Sequence, residues 1–153
     1  DCNRIPLTFD KSKLKPDCAA CDALCCIAPK FEAPNYHKPV AVPCRNLKTP
    51  SLKCEIYDSR EALGFIFCLN FDCHGAGQAV TKLFQNIGCN WQTDESKAKV
   101  EFDVFVHVYC YLSYRFYPDQ PVQVEADQES ADKLKPFINA ALCILSERDD
   151  GHP

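Results

Sequence analysis

The sequence lacks the features that mark several common protein classes. Acidic residues outnumber basic ones by 21 to 17, giving a net charge of -4 and a pI of about 5.5. This balance does not fit a strongly basic protein that binds nucleic acid or an anionic membrane. The longest apolar runs are too short to cross a bilayer. No Asn-x-Ser/Thr sequon is present, so N-glycosylation is not expected.

Motifs of the common hydrolases and calcium-binding proteins are also missing. The sequence holds no Gly-x-Ser-x-Gly, His-Glu-x-x-His or EF-hand pattern. The turn Gly75-Ala76-Gly77 is not followed by a complete phosphate-binding or dinucleotide fingerprint, so we interpret it as an ordinary turn before a helix. His74 beside it is interpreted as a loop histidine next to a disulfide.

The length and composition are those of a folded protein. The chain has 153 residues, of which 46% are hydrophobic and 25% charged. These values exclude global disorder, and the length suits one domain. We therefore predict a single disulfide-rich domain over residues 1–153.

Cysteine is the residue type that decides the class. The chain has twelve cysteines, an even number spread along its whole length. Such a set predicts about six disulfides in an oxidising compartment, although the spacing cannot give the pairing. The predicted disulfide residues are Cys2, Cys18, Cys21, Cys25, Cys26, Cys44, Cys54, Cys68, Cys73, Cys89, Cys110 and Cys143.

Zinc is the alternative role for these cysteines. Cys18-x-x-Cys21 has the spacing of a zinc knuckle, but the later cysteines are single and the four histidines are scattered. We therefore expect no metal and no cofactor.

The start at Asp1 fits a mature secreted chain whose signal peptide has been removed, or an engineered start. The expected location is extracellular.

Two helices and one long strand are predicted from hydrophobic periodicity. Residues 76–87 and 136–146 repeat apolar side chains with the period of a helix, and Gly88 suits a C-terminal cap. Residues 99–117 alternate with period two for a dozen residues, which predicts a strand with a break at an unknown place. The predicted fold is α+β, an antiparallel sheet flanked by two or three helices and stapled by about six disulfides.

The first half of the chain gives weaker signals. We expect a short strand around Leu7–Phe9 and a short helix over 18–26, with Asp17 as its N-cap. Five prolines in residues 27–53 exclude a regular helix there, and we predict an ordered surface loop with extended pieces.

The segment that follows the loop is harder to assign. Residues 54–57 fit a short strand, whereas 59–69 fit a helix and a buried strand equally well. The tail from Glu147 to Pro153 is expected to fray.

The outer face of the predicted strand is the candidate binding interface. A tyrosine-rich face contributes contact area at low entropic cost. The candidate residues are His107, Tyr109, Tyr111, Arg115 and Tyr117. The same face, with Asp103, could supply a base and a phosphate clamp for an RNase-like hydrolase. Co-facing sets of this kind are common on any strand, so no catalytic residue is assigned.

The whole pattern resembles the small cysteine-rich secreted effectors of plant-pathogenic fungi. The resemblance rests on Cys18-Ala-Ala-Cys21-Asp-Ala-Leu-Cys25-Cys26, on Gly77–Cys89 and on the predicted strand through Cys110. In layout the chain is similar to the Leptosphaeria avirulence-suppressing effectors. The resemblance implies a non-enzymatic extracellular protein that binds host proteins and is perceived by plant immune receptors. We also expect a monomer, and the charge balance predicts no nucleic-acid partner.

Other functions stay open beside this one. Twelve cysteines with Cys25-Cys26-Ile-Ala-Pro29 are similar to the twelve-cysteine branch of insect odorant-binding proteins, which carry small hydrophobic ligands. That family is all-helical, whereas the period-two run at 99–117 predicts a strand and so disfavours membership of the family. A secreted hydrolase, or a toxin or protease inhibitor with a reactive loop in 27–53, is a further alternative.

Overall fold

Helices are the main elements of the structure, a computed structural model that describes residues 14–49 and 51–147. The described residues form four α-helices: α1 (Ile66–Asn70), α2 (Ala76–Ile87), α3 (Glu95–Phe116) and α4 (Ala131–Glu147). Two short antiparallel pairs of strands accompany them, so the mixed α and β content agrees with the prediction. The strand expected around Leu7–Phe9, the position of Cys2 and the tail beyond Glu147 lie outside the described residues.

The predicted helix over 76–87 is confirmed as α2. Ala79, Val80, Leu83 and Phe84 are buried, as their common stripe requires. Gly88 adopts a left-handed conformation with φ of 94° and caps the helix, its amide donating to the carbonyls of Gln85 and Phe84.

The second predicted helix is confirmed but begins earlier. α4 starts at Ala131, directly after a 3-10 turn (Gln128–Ser130) in which the Glu129 amide donates to the Asp127 carboxylate. Pro136 therefore lies inside the helix and not in its first turn. The cost is one missing backbone hydrogen bond, which the packing of the apolar face outweighs: Ala141, Leu142 and Leu145 are completely buried.

The predicted strand at 99–117 is wrong, because these residues form the long helix α3. Residues of both alternating sets are buried. Val104 and Val108 from one set are completely buried, and Phe105 and Tyr109 from the other set are at most 2% exposed. A helix packed on most sides is apolar nearly all round, so its residues fit a period of two as well as 3.6. Asp94 provides the start signal, its carboxylate accepting a hydrogen bond from the Ser96 amide.

The strands form two separate antiparallel hairpins instead of one sheet flanked by helices. β1 (Phe31–Ala33) pairs with β2 (Tyr36–Lys38), and β3 (Leu47–Lys48) pairs with β4 (Lys53–Cys54). Both hairpins lie almost entirely within the proline-rich segment 27–53. With α3 helical, no long strand is present in the described residues on which a larger sheet could form.

Three shorter assignments are revised by the structure. The predicted helix over 18–26 is divided into two 3-10 turns (Cys18–Ala20 and Leu24–Cys26), because Ala23 takes a left-handed conformation with φ of 64° between them. The ambiguous segment 59–69 is largely turn and then helix α1. Of the strand expected at 54–57, only Cys54 is in a strand.

The main core lies between α2, α3 and α4, which pack against one another. The N-terminal turns cover one side of it through Leu24 and Ile27, both completely buried. A second, smaller core surrounds Phe31, Cys44 and Phe65 beneath the first hairpin. Within the described residues, no helix has both the length and the apolar character needed to cross a bilayer.

Candidate functional site

Helix α3 divides the predicted interface between two faces. His107, Tyr111 and Arg115 are spaced four residues apart and share one face of the helix, because neighbours at i and i+4 are stacked. Tyr109 and Tyr117 belong to a different face. The five side chains of the expected strand therefore do not form one surface.

A groove of about 720 Å³ runs along α3, and we call it the α3 groove. Its floor is α3, and its two walls are the segments around 28–41 and 123–130. Its surface is mainly apolar. The residues that line it are Ala28, Pro29, Lys30, Val40, Ala41, Glu95, Ala98, Lys99, Phe102, Asp103, Val106, His107, Gln123, Val124, Glu125, Ala126, Asp127 and Ser130.

His107 is the predicted site residue that lies in this groove. Its Nε2 is 2.9 Å from the Ser130 hydroxyl, and that hydroxyl donates to the Asp127 carbonyl at 2.8 Å. Since the hydroxyl proton is engaged by Asp127, Nε2 of His107 must be the donor to the Ser130 oxygen. The imidazole is thus fixed at the end of the groove, and only 8% of His107 is exposed.

Charged side chains add a negative bias to the groove. Four acidic residues and two lysines are among its lining residues. Lys99 Nζ lies 3.7 Å from Asp103 Oδ2, one helical turn away. The charge therefore disfavours an anionic ligand.

A second depression, of about 490 Å³, continues along α3 beyond His107. Tyr111, Tyr114 and Arg115 line it from α3, and His107 and Ala126 line both spaces. Tyr114 is 59% exposed, and its hydroxyl donates to Glu125. Three of the five predicted interface residues, His107, Tyr111 and Arg115, therefore do share a surface.

Tyr109 and Tyr117 instead enclose His74. The imidazole stacks on Tyr117 with centroids 4.2 Å apart and lies parallel to Tyr109 at 5.9 Å. Tyr109 is buried, and its hydroxyl accepts a hydrogen bond from the Gln123 amide at 2.9 Å. Burial lowers the pKa of His74, which the carboxylate of Asp72 only partly offsets. The stacked rings join the loop before α2 to α3.

No pattern in the sequence predicts that the carboxyl group of Glu101 is buried. Its Oε1 accepts a hydrogen bond from the Trp91 amide at 2.8 Å, while no described residue bonds to its Oε2. Burial raises its pKa to about 7, and the nearby Asp22 carboxylate adds to this effect. The Trp91 indole donates to the Asp22 carbonyl at 2.9 Å, so the three residues form one network.

Lys38 is a second buried charge that the sequence did not reveal. Its ammonium group donates to the carbonyls of Ile27, Pro29 and Pro39 at 2.7–2.8 Å. Burial lowers its pKa to about 8. Three carbonyls satisfy all three donors of an ammonium group, which explains how this side chain is accommodated with 0% exposure.

Eleven cysteines are described, and several lie close together. The smaller core contains Cys44, with Cys26 and Cys68 packed against it. Cys21 and Cys73 meet at the start of α2. No two described sulfurs lie at the bonding distance of a disulfide. Among the described residues, no three His, Cys, Asp or Glu side chains are arranged to hold a metal ion.

Fold and groove together describe a cysteine-rich, mainly helical protein with a ligand-sized space along its central helix. No family model matches the sequence, and no solved structure matches it. The chain is 35% identical over 95 residues to a Bacillus subtilis protein described as the uncharacterized protein YybG. That match covers 60% of this chain and 33% of YybG, so the similarity spans about a third of the relative's length.

Proposed function

We propose that this protein is a non-catalytic extracellular carrier that binds a small, mainly apolar organic molecule in the α3 groove. The observation that carries the proposal is the groove itself. Its volume of about 720 Å³ lies in the range of roughly 300–1,000 Å³ that is usual for small-molecule sites. Its surface is mainly apolar and carries several polar and charged side chains, and a mainly apolar lining with placed polar groups is usual for such sites.

The helical structure of 99–117 supports this proposal. The expectation of a strand there was the reason to disfavour an all-helical ligand carrier. With α3 in place of that strand, the main objection is removed. The two hairpins remain a difference from an all-helical family, so the proposal rests on the groove and not on the resemblance.

The lining of the groove indicates the chemistry of the ligand. Phe102, Val106 and Val124 offer apolar contact for a hydrocarbon body. The Ser130 oxygen donates to Asp127 and accepts from His107, so its second lone pair offers a fixed hydrogen-bond acceptor at one end. The excess of acidic over basic side chains favours a neutral or cationic polar group over a carboxylate. We therefore propose an amphipathic alcohol or amine as the ligand class.

Dye displacement tests the proposal. We expect N-phenyl-1-naphthylamine to bind and gain fluorescence, and dodecylamine to displace it at lower concentration than dodecanoate. Ala98 lines the groove and is half-buried, so Ala98→Phe fills the space and is expected to weaken dye binding at least about tenfold. Ala62→Phe is the matched control, since Ala62 is exposed and outside the groove. Equal binding by both variants would place the dye elsewhere and refute the carrier.

A protein partner is the second candidate function, and one observation favours it. Tyr111, Tyr114 and Arg115 share one stretch of α3, and tyrosine and arginine are enriched in protein interfaces. Under this proposal the protein is a secreted effector that binds a host protein. Infiltration of purified protein into leaves tests it: we expect a cell-death response that Tyr114→Ala weakens and Ala62→Phe does not. No response in any tested host line would contradict it.

Six disulfides in an oxidising compartment remain part of both proposals. They rest on the twelve cysteines and on the proximity of several sulfurs in the two cores. The mass of the intact protein before and after alkylation without reduction tests them, because any free thiol gains the mass of one alkyl group. Uptake at several cysteines would refute an oxidised framework.

A further inference from the structure

Gly77, in the first turn of α2, leaves room for two sulfur atoms at one place. A Cβ atom at this position would lie 2.6 Å from the sulfur of Cys21 and 3.7 Å from the sulfur of Cys73. Both sulfurs are therefore within 4 Å of a single point above the helix. A side chain at Gly77 would occupy the space through which they approach each other.

Hydrogen bonds hold the chain around Cys21 against α2. The Asp17 amide donates to Gln78 Oε1 at 3.1 Å, and the Asp22 amide donates to Thr81 Oγ1 at 3.0 Å. The Gln78 side-chain amide in turn donates to the Lys15 carbonyl at 2.7 Å. These contacts on either side of Cys21 fix its position relative to the helix and so relative to Cys73.

Cys73 is held from its own side. It is in the short turn that leads into α2, where the Ala76 amide donates to the Cys73 carbonyl at 3.0 Å. Two elements that are 52 positions apart in sequence thus present their sulfurs to the same pocket. Burial raises the pKa of Cys21 to about 12 and that of Cys73 to about 11, so both groups are neutral thiols when reduced.

From this packing we propose that Cys21 and Cys73 form a disulfide bond that ties the N-terminal turns to the start of α2. In its formation each thiol loses its proton, and one S–S bond replaces two S–H bonds. The two electrons pass to an external disulfide such as oxidised glutathione, which is reduced to two thiols. Small shifts of two sulfurs already in one pocket complete the bond, whereas a pairing of either residue with a distant cysteine would require the backbone to move.

Cys18 and Cys25 are the competing partners for Cys73. Cys25 is engaged with its neighbour: a hydrogen bond to Cys26 raises the pKa of Cys25 and lowers that of Cys26. Cys18 is exposed, whereas the other two sulfurs are at the helix surface that Gly77 leaves open. The three atoms nearest to a Cβ at the Gly77 position all belong to Cys21 and Cys73, and none belongs to either competitor.

Peptide mapping of the unreduced protein tests the pairing. The protein is oxidatively folded with glutathione, alkylated, denatured and digested with trypsin and a protease that cleaves before aspartate. This digestion separates the peptide Asp17–Cys21 from the peptide 22–30, which holds Cys25 and Cys26, and releases Asp72–Lys82 with Cys73 alone. We expect Asp17–Cys21 joined to Asp72–Lys82. A Cys73 peptide that is alkylated, or joined to peptide 22–30, would overturn the proposal.

Two variants distinguish Cys21 from Cys18, which share one peptide. Cys18→Ser is expected to keep the linked peptide, while Cys21→Ser loses it and leaves Cys73 open to alkylation. If Cys21→Ser does not fold, fragmentation of the linked wild-type peptide localises the bridge, because the two cysteines are separated by two alanines. A bridge at Cys18 would overturn the proposal. The outcome is independent of ligand binding, so it does not depend on the carrier function.

Discussion

The pKa of Glu101, raised from 4.5 to about 7 by burial, makes stability depend on pH in a direction that can be worked out. The folded protein holds this proton more tightly than the unfolded chain does. The free energy of unfolding therefore falls as pH rises from about 4.5 through 7, and changes no further above it. At about 1.4 kcal/mol per pKa unit, ionised Glu101 lowers the stability by at most about 3 kcal/mol near pH 8.

Glu101→Gln isolates this effect. The glutamine has no proton to lose, and its amide oxygen can still accept the hydrogen bond of the Trp91 amide. We expect the variant to match the wild type near pH 4 and to be more stable by up to about 3 kcal/mol near pH 8. Urea unfolding followed by circular dichroism, with the disulfides intact, measures the difference. Asp22 faces Glu101, and its own pKa is raised by burial, so removal of the Glu101 charge makes Asp22 slightly easier to ionise.

The pH profile of the difference decides the outcome. His74, whose pKa is lowered by burial, contributes an opposite trend in both proteins, which therefore cancels in the comparison. If the two proteins differ by the same amount near pH 5 and near pH 8, ionisation of Glu101 is not penalised in the folded state. The account of the Glu101, Trp91 and Asp22 network would then be wrong.

Three further outcomes follow from other parts of the structure. Gly77→Ala places a Cβ 2.6 Å from the Cys21 sulfur. Urea unfolding should therefore show a free energy of unfolding lower by about 1–3 kcal/mol, despite the better helix propensity of alanine. A higher free energy of unfolding would contradict the close packing. Asp94→Ala removes the α3 cap and should lower the midpoint of thermal unfolding. Asp94→Asn keeps an oxygen for the Ser96 amide and should lower that midpoint much less, so equal losses would argue against capping. An NMR titration should place the midpoint of His74 below 6.5, because burial disfavours its charged form, and a higher midpoint would contradict the stacked, buried geometry.

Helices α2 and α4 could be predicted because each has one clear apolar face. Residues such as Leu83 or Leu142 enter the core while their neighbours on the other side meet water, and this difference is written in the sequence. Helix α3 lies between the other elements and has apolar residues on most of its sides. Its periodicity is therefore ambiguous, and its only clear helix signals were the cap at Asp94 and the absence of glycine and proline.

Only part of the candidate site could be predicted, because its residues lie on α3, whose periodicity is ambiguous. Alternation placed His107, Tyr109 and Tyr111 together, but a helix rotates Tyr109 by about 200° from His107. His107, Tyr111 and Arg115 remained together because their spacing is a multiple of four. The burial of Glu101 could not be predicted from the sequence. It depends on Trp91 and Asp22, which are 10 and 79 positions away and which only the fold brings near.

The position of Trp91 makes it an internal optical reporter. It is the sole tryptophan of the chain, and its ring is 6.5 Å from that of Phe102, which lines the α3 groove. Its backbone amide is bonded to Glu101 and its indole to Asp22. We therefore expect emission from this one fluorophore to report both the charge on Glu101 and any displacement of Phe102 by the proposed ligand. One unlabelled sample would then serve for the pH titration and for the test of ligand binding.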